Sequence, residues 1–129
     1  MSVLTPPVLT QLDDLRQQFA DATWSALSNG TAHVRVPNVK LPAGWSKPTA
    51  TIHLVLPVGY PVAKPDCFWA DHDLRLAGDK TPENSGVQAI PGLADPLLWF
   101  SWHIAAWNPN AHNVLTWLRV ALTRFDALK

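Results

Sequence analysis

The period of the apolar positions changes twice along the chain, which divides it into a helix, a run of strands and a second helix. In VLTQLDDLRQQFADA, Val8, Leu12, Leu15, Phe19 and Ala22 recur at helical spacing with charged residues between them. Pro6 and Pro7 suit the first turn of that helix, where a missing N–H leaves no bond unmade. The predicted helix runs from about Pro7 to Ala20. The period then drops to two. HVRVPNVKLP alternates through Val34, Val36, Val39 and Leu41, and TATIHLVLP through Ile52, Leu54 and Leu56. Such spacing suits antiparallel strands with one buried face. Trp24 to Leu27 is a further short candidate, set off by the Ser28-Asn29-Gly30 turn signal. Pro37 marks a bulge or an edge.

In PVGYPVAKPDCFW, Gly59, Pro61 and Pro65 interrupt any regular strand, so this is a structured turn holding Tyr60. Asp66 to Trp69 reads as a short strand. Asp71 to Asp95 reads as a long polar loop, of a length that usually carries function. Asn110 is a candidate N-cap for a last helix over about Ala111 to Leu128, with Val114, Leu115, Leu118, Leu122 and Phe125 on one face. The fold class is therefore α+β: an N-terminal helix, an antiparallel meander of about four strands, a long loop and a C-terminal helix, in one domain over residues 1–129.

Composition narrows the function. Ten basic and ten acidic residues give no net charge, which argues against a nucleic-acid groove or a polybasic membrane surface. Cys67 is the only cysteine, so an internal disulfide or a multi-cysteine zinc site is excluded. With no basic region ahead of a long apolar run, and no run long enough to span a bilayer, the expectation is a cytoplasmic protein. Four of seven tryptophans (Trp99, Trp102, Trp107 and Trp117) crowd into LWFSWHIAAWNPNAHNVLTWL. A Trp-Asn-Pro corner leading into a helix is a rigid platform for a group placed just before it.

Two segments carry a family resemblance. PVGYPVAKPDCFW resembles the YP turn and following strand of ubiquitin-conjugating enzymes. WNPNAHNVLTWLRVAL resembles the W-x-P corner and helix that follow the catalytic cysteine of those enzymes. Helix, meander, YP turn, long loop, W-x-P and helix also come in that family's order, over most of the chain. The short length and the Trp-His character near Trp107 look most like the bacterial branch. That resemblance implies a ubiquitin-conjugating (UBC-like) fold and a carrier in ubiquitin-like conjugation. The carrier would take a ubiquitin-like protein from an activating enzyme as a thioester or ester and pass it to an amine of a target protein. It would need no cofactor and no metal. Members of the branch are typically encoded beside a ubiquitin-like protein, an activating enzyme and a metalloprotease, in gene sets associated with antiphage defence. The first helix, with Asp13, Asp14, Arg16, Gln17 and Gln18 on its polar face, would meet the activating enzyme.

The chain departs from the family at the site itself. The His-Pro-Asn tripeptide is absent, and the nearest loop asparagine is Asn84. The cysteine expected before the W-x-P tryptophan is replaced by Ser101. Three readings of Ser101 stay open: a cysteine-to-serine change introduced to trap a conjugate, a native serine in an inactive or ester-forming member, or a plain structural hydroxyl. Cys67 is the alternative nucleophile, although it falls where the family has a buried strand residue, and free cysteines are mostly buried and inert. His103, two residues after Ser101, would face the same way on an extended segment and serve as base or orienting group. Asn108 and His112 are auxiliary candidates, as is Asn110 beside its simpler capping role. Trp107, Pro109, Tyr60 and Pro61 are structural at the site.

Other chemistries fit less well. Ser101-x-His103 suggests a serine hydrolase, but no Gly-x-Ser-x-Gly elbow is present and no buried aspartate is placed to orient the histidine. Asp71, His72 and Asp73 suggest a metal site, yet adjacent residues rarely converge on one ion. The remaining competitor is a non-catalytic module on the same fold that binds a ubiquitin-like protein or scaffolds a complex.

Overall fold

The computed structural model describes residues 2–129. Helix α1 (Pro6–Gln18) is followed by strands β1 (Thr23–Ala26), β2 (Ala32–Lys40), β3 (Thr49–Leu56), β4 (Phe68–Ala70), β5 (Ser85–Gln88) and β6 (Leu97–Phe100). Helix α2 (Val114–Thr123) and a short 3-10 turn (Arg124–Asp126) close the chain. The strands form one six-stranded sheet in the order β1-β2-β3-β4-β6-β5, and every neighbouring pair is antiparallel. The α+β class holds, but the sheet is larger than the expected four strands. β1 is the short Trp24 candidate, while β5 arises inside the segment expected to be a loop and pairs with β6.

Alternation along the strands sets which face is covered. Ala32, Val34 and Val36 of β2 and Ile52 and Leu54 of β3 are buried with Val8, Leu12 and Leu15 of α1 and Val114, Trp117, Leu118 and Ala121 of α2. The intervening His33, Arg35, Thr51 and His53 project from the opposite face. An aromatic group of Trp45, Phe68, Phe100 and Phe125 fills the C-terminal end of the core, with Phe68 and Phe100 stacked 4.9 Å apart. The Trp45 indole N–H donates to the Phe125 carbonyl at 2.8 Å, tying the 3-10 turn down. Arg16 of α1 lies 4.0 Å above the Trp24 ring, so part of its polar face is committed within the chain. A register shift between Val36 and Val39 places the bulge at Pro37, where the sequence puts it.

The helix ends correct two expectations. α2 begins at Val114 rather than near Ala111, and its N-cap is Asn113, not Asn110. The Asn113 side chain accepts from the Thr116 amide while the Thr116 hydroxyl accepts from the Asn113 amide, a reciprocal capping box. Asn110 sits in the preceding turn, its amide donating to Asn108 Oδ1. Residues 110–112 are therefore used to turn the chain, which leaves fewer for the helix.

Candidate active site

The YP turn and the W-x-P corner are locked to each other. The Trp107 indole N–H donates to the Pro61 carbonyl at 2.8 Å, and the Trp107 and Tyr60 rings lie 6.0 Å apart. The Tyr60 hydroxyl donates to Gln11 Oε1 of α1, and burial pushes its phenol well above the ordinary value. Gln11 Oε1 also accepts from the Val114 amide at 3.3 Å, joining α1, the turn and the start of α2 through one oxygen. His112 packs on Trp107, their rings 5.6 Å apart, and its Nδ1 accepts from the Asn108 amide at 3.0 Å. His112 and Asn108 thus shape the corner, and among the described residues neither is bonded to Ser101 or His103. Trp102 contributes a further tie, donating its indole N–H to the Val120 carbonyl of α2 at 2.9 Å.

Pairing of β4 with β6 builds the rest of the site. Phe68 pairs with Phe100 at the strand ends, so the residues just before β4 run beside those just after β6. Cys67 donates its amide to the Trp102 carbonyl at 3.0 Å. Ser101 donates its amide to the Asn84 carbonyl at 2.8 Å, so Asn84 touches the site through its backbone. The result places Asp66 next to His103. Ser101 Oγ lies 3.3 Å from His103 Nε2, and His103 Nδ1 is hydrogen-bonded to the Asp66 carboxylate. A carboxylate acceptor at Nδ1 selects the tautomer with its proton there and leaves the Nε2 lone pair facing the serine hydroxyl. The Asp66 and His103 side chains are exposed and Ser101 is half-buried.

The carboxylate bonded to His103 is that of Asp66, an exposed residue, whereas the expectation from the sequence concerned only a buried aspartate. Asp66 was missed because it lies 35 residues before Ser101 in the chain and reaches it only through the β4–β6 register. Its one local signal is a polar residue between Pro65 and an apolar strand.

Cys67 is also relocated. It lies outside β4, is half-buried, and adopts φ 59°, a left-handed conformation that costs energy for a residue with a Cβ. Its thiol belongs to the site's rim rather than to the core of a strand. Burial pushes the thiol up from its ordinary value and the nearby Asp66 carboxylate adds to this, against hydrogen bonds from the Trp102 backbone and the Trp99 indole. Ligand atoms of Asp66, Cys67 and His103 lie within 4.8 Å of one another, which makes them a set able to hold a metal ion. Both His103 nitrogens are already engaged, by Asp66 and by Ser101, so the arrangement matches a hydrogen-bonded relay better than a ligand set.

Asp71, His72 and Asp73 do not form a metal-type cluster among the described residues. Asp71 and Asp73 instead hold Lys47, at 3.2 and 2.5 Å, and Asp71 accepts from the Thr51 amide at 3.0 Å. They border an open depression of about 360 Å³ on the far face of the sheet, lined also by Arg35 and His53 and away from Ser101. No helix among the described residues is long and apolar enough to cross a membrane.

An α+β chain whose YP-type turn is bonded to a W-x-P corner fits the class of E2-like proteins. The sequence profile of Prokaryotic E2 family E matches residues 10–126, from within α1 to the 3-10 turn, and the chain belongs to that family. No curated protein and no solved structure matches the chain. Family membership carries the general expectation of an activating enzyme and a ubiquitin-like protein as partners.

Proposed function

We propose that the protein is a cytoplasmic carrier that accepts the C-terminal glycine of a ubiquitin-like protein from an activating enzyme on Ser101 and passes it to an amine on a target protein. The observation that supports this most is the Ser101–His103 contact, 3.3 Å between Oγ and Nε2, immediately before the Trp107 corner. A serine hydroxyl is a poor nucleophile unless a base takes its proton as it attacks, and the 3.3 Å contact with His103 Nε2 supports His103 in that part. The indole bond from Trp107 to Pro61 fixes the backbone that presents both residues. By resemblance to the bacterial branch, the carrier would serve a conjugation system in antiphage defence.

A second nucleophile is favoured by one observation: the Cys67 thiol lies within 4.8 Å of the His103 and Asp66 ligand atoms. Its raised thiol pKa and half-burial count against it. Incubation with a cognate activating enzyme, ATP and ubiquitin-like protein separates the readings. An adduct resistant to reductant, cleaved by mild base and absent in Ser101→Ala supports the carrier on Ser101. A reductant-sensitive adduct absent in Cys67→Ala transfers the role to Cys67. No adduct with complex formation intact points to a non-catalytic module.

A further inference from the structure

From the Asp66–His103–Ser101 geometry we infer a further activity: the protein is a serine-type acyl hydrolase, using Ser101 as nucleophile, His103 as base and Asp66 as the residue that positions His103. The inference takes Ser101 as nucleophile from the proposed carrier function. It goes beyond it by giving the same residue an activity on simple esters and on its own acyl adduct, with water as acceptor.

The three side chains are ordered as that chemistry requires. The Asp66 carboxylate accepts the Nδ1 proton of His103, and the bare Nε2 lies 3.3 Å from Ser101 Oγ. Asp66 and His103 come from segments brought together by the β4–β6 pairing, whose strand-end pair is Phe68 and Phe100. The Ser101 amide is fixed by the Asn84 carbonyl at 2.8 Å. A carboxylate on one imidazole nitrogen and a hydroxyl on the other is the order in which a serine triad is arranged. Carriers that rely on a low-pKa thiol need no such relay, because a few per cent of a thiol is already ionised near neutral pH.

In the first half-reaction Ser101 Oγ bonds to the acyl carbonyl carbon and its proton moves to His103 Nε2. The carbon–leaving-group bond then breaks, and the leaving group takes that proton from His103. An ester on Ser101 remains. In the second half, water bonds to the carbonyl carbon and gives a proton to Nε2. The carbon–Oγ bond breaks and the proton returns to Oγ. The sum is ester plus water to carboxylic acid plus alcohol, with His103 and Ser101 restored. Water reaches the partly exposed Ser101, and the adduct that accumulates during charging is released as the free acid more slowly than it forms.

A fluorophosphonate probe, which phosphonylates activated serines, and 4-nitrophenyl acetate test this on the isolated chain. The wild type is expected to label and to turn over the ester, and Ser101→Ala to lose both. His103→Gln should lower the rate by about 100-fold, the scale of a lost general base. Asp66→Asn should lower kcat with little change in KM or melting temperature, and Asp66→Glu should recover part of the loss; a merely structural Asp66 would show the reverse pattern. An unlabelled wild type, labelling that survives Ser101→Ala, or labelling that requires Cys67 would each overturn the inference. Because no activating enzyme or ubiquitin-like protein is present, a labelled Ser101 that is never charged would sink the carrier reading alone. Charging at Ser101 without labelling or ester turnover would sink this one alone.

Discussion

Trp107 and Pro61, 46 residues apart in the chain, are joined by an indole N–H to carbonyl bond of 2.8 Å. The bond couples the two segments that carry the family resemblance, and the Ser101–His103 segment lies just before Trp107. The bond fixes the corner next to the backbone that carries Ser101 and His103.

Replacing Trp107 by Phe keeps most of the ring's packing on Tyr60 and removes only the donor. That is expected to cost about 1 kcal/mol in urea unfolding, the usual net value of one hydrogen bond. Trp107→Ala should cost about 3 kcal/mol because the half-buried ring is lost too. Both variants should reduce acylation of Ser101 more than Ser101-remote variants of equal stability do.

The capping box of α2 makes a separate prediction. Asn113→Ala removes the acceptor of the Thr116 amide at 3.0 Å and should destabilise the fold by about 1 kcal/mol. Asn110→Ala removes no side-chain bond of that helix and should change stability by no more than about 0.5 kcal/mol. Thermal melts of the two single variants are sufficient; equal losses would mean the helix starts where the sequence alone puts it.

A pH dependence follows from the histidine pair on the far face of the sheet. His33 Nε2 and His53 Nδ1 are 2.8 Å apart with stacked rings, and the nearby charged groups are Arg35 and Asp71. Burial, then the neighbouring His33 and Arg35, lowers the His53 pKa from 6.5 to about 4, while Asp71 opposes the shift. His33 is lowered as well, by burial and Arg35. The folded state therefore resists a proton that the unfolded chain accepts. Stability from this site is level above pH 6.5 and falls as the pH drops from 6.5 toward 4. The loss should be on the order of 2 kcal/mol across that window. His53→Gln should flatten that part of the stability curve measured by urea titration at successive pH values.

Much of the fold was legible because its signals are local. The spacing of Val8, Leu12 and Leu15 gives α1, and the alternation at Val34, Val36, Ile52 and Leu54 gives β2 and β3. β5 was not legible. Ser85-Gly86-Val87-Gln88 has no apolar alternation, lies between glycines and prolines, and becomes a strand only by pairing with Leu97 to Phe100. The start of α2 was misplaced because Asn110 and Asn113 are both plausible caps, and Thr116 decides between them three residues later. At the site, Ser101 and His103 could be paired because they are two residues apart. Asp66 is a long-range partner, and Cys67 was assigned to a buried strand because nothing in the local sequence announces its left-handed backbone.

The central claim is that Ser101 carries the acyl group, and a charging reaction tests it most directly. Wild type, Ser101→Ala, Ser101→Cys, Cys67→Ala and the Ser101→Cys, Cys67→Ala double variant would each be incubated with activating enzyme, ATP and ubiquitin-like protein, then resolved with reductant and with mild base. The account predicts a base-labile, reductant-resistant adduct on the wild type, none on Ser101→Ala, and a reductant-labile adduct on Ser101→Cys that persists when Cys67 is also replaced. An adduct that survives Ser101→Ala and disappears in Cys67→Ala would contradict it.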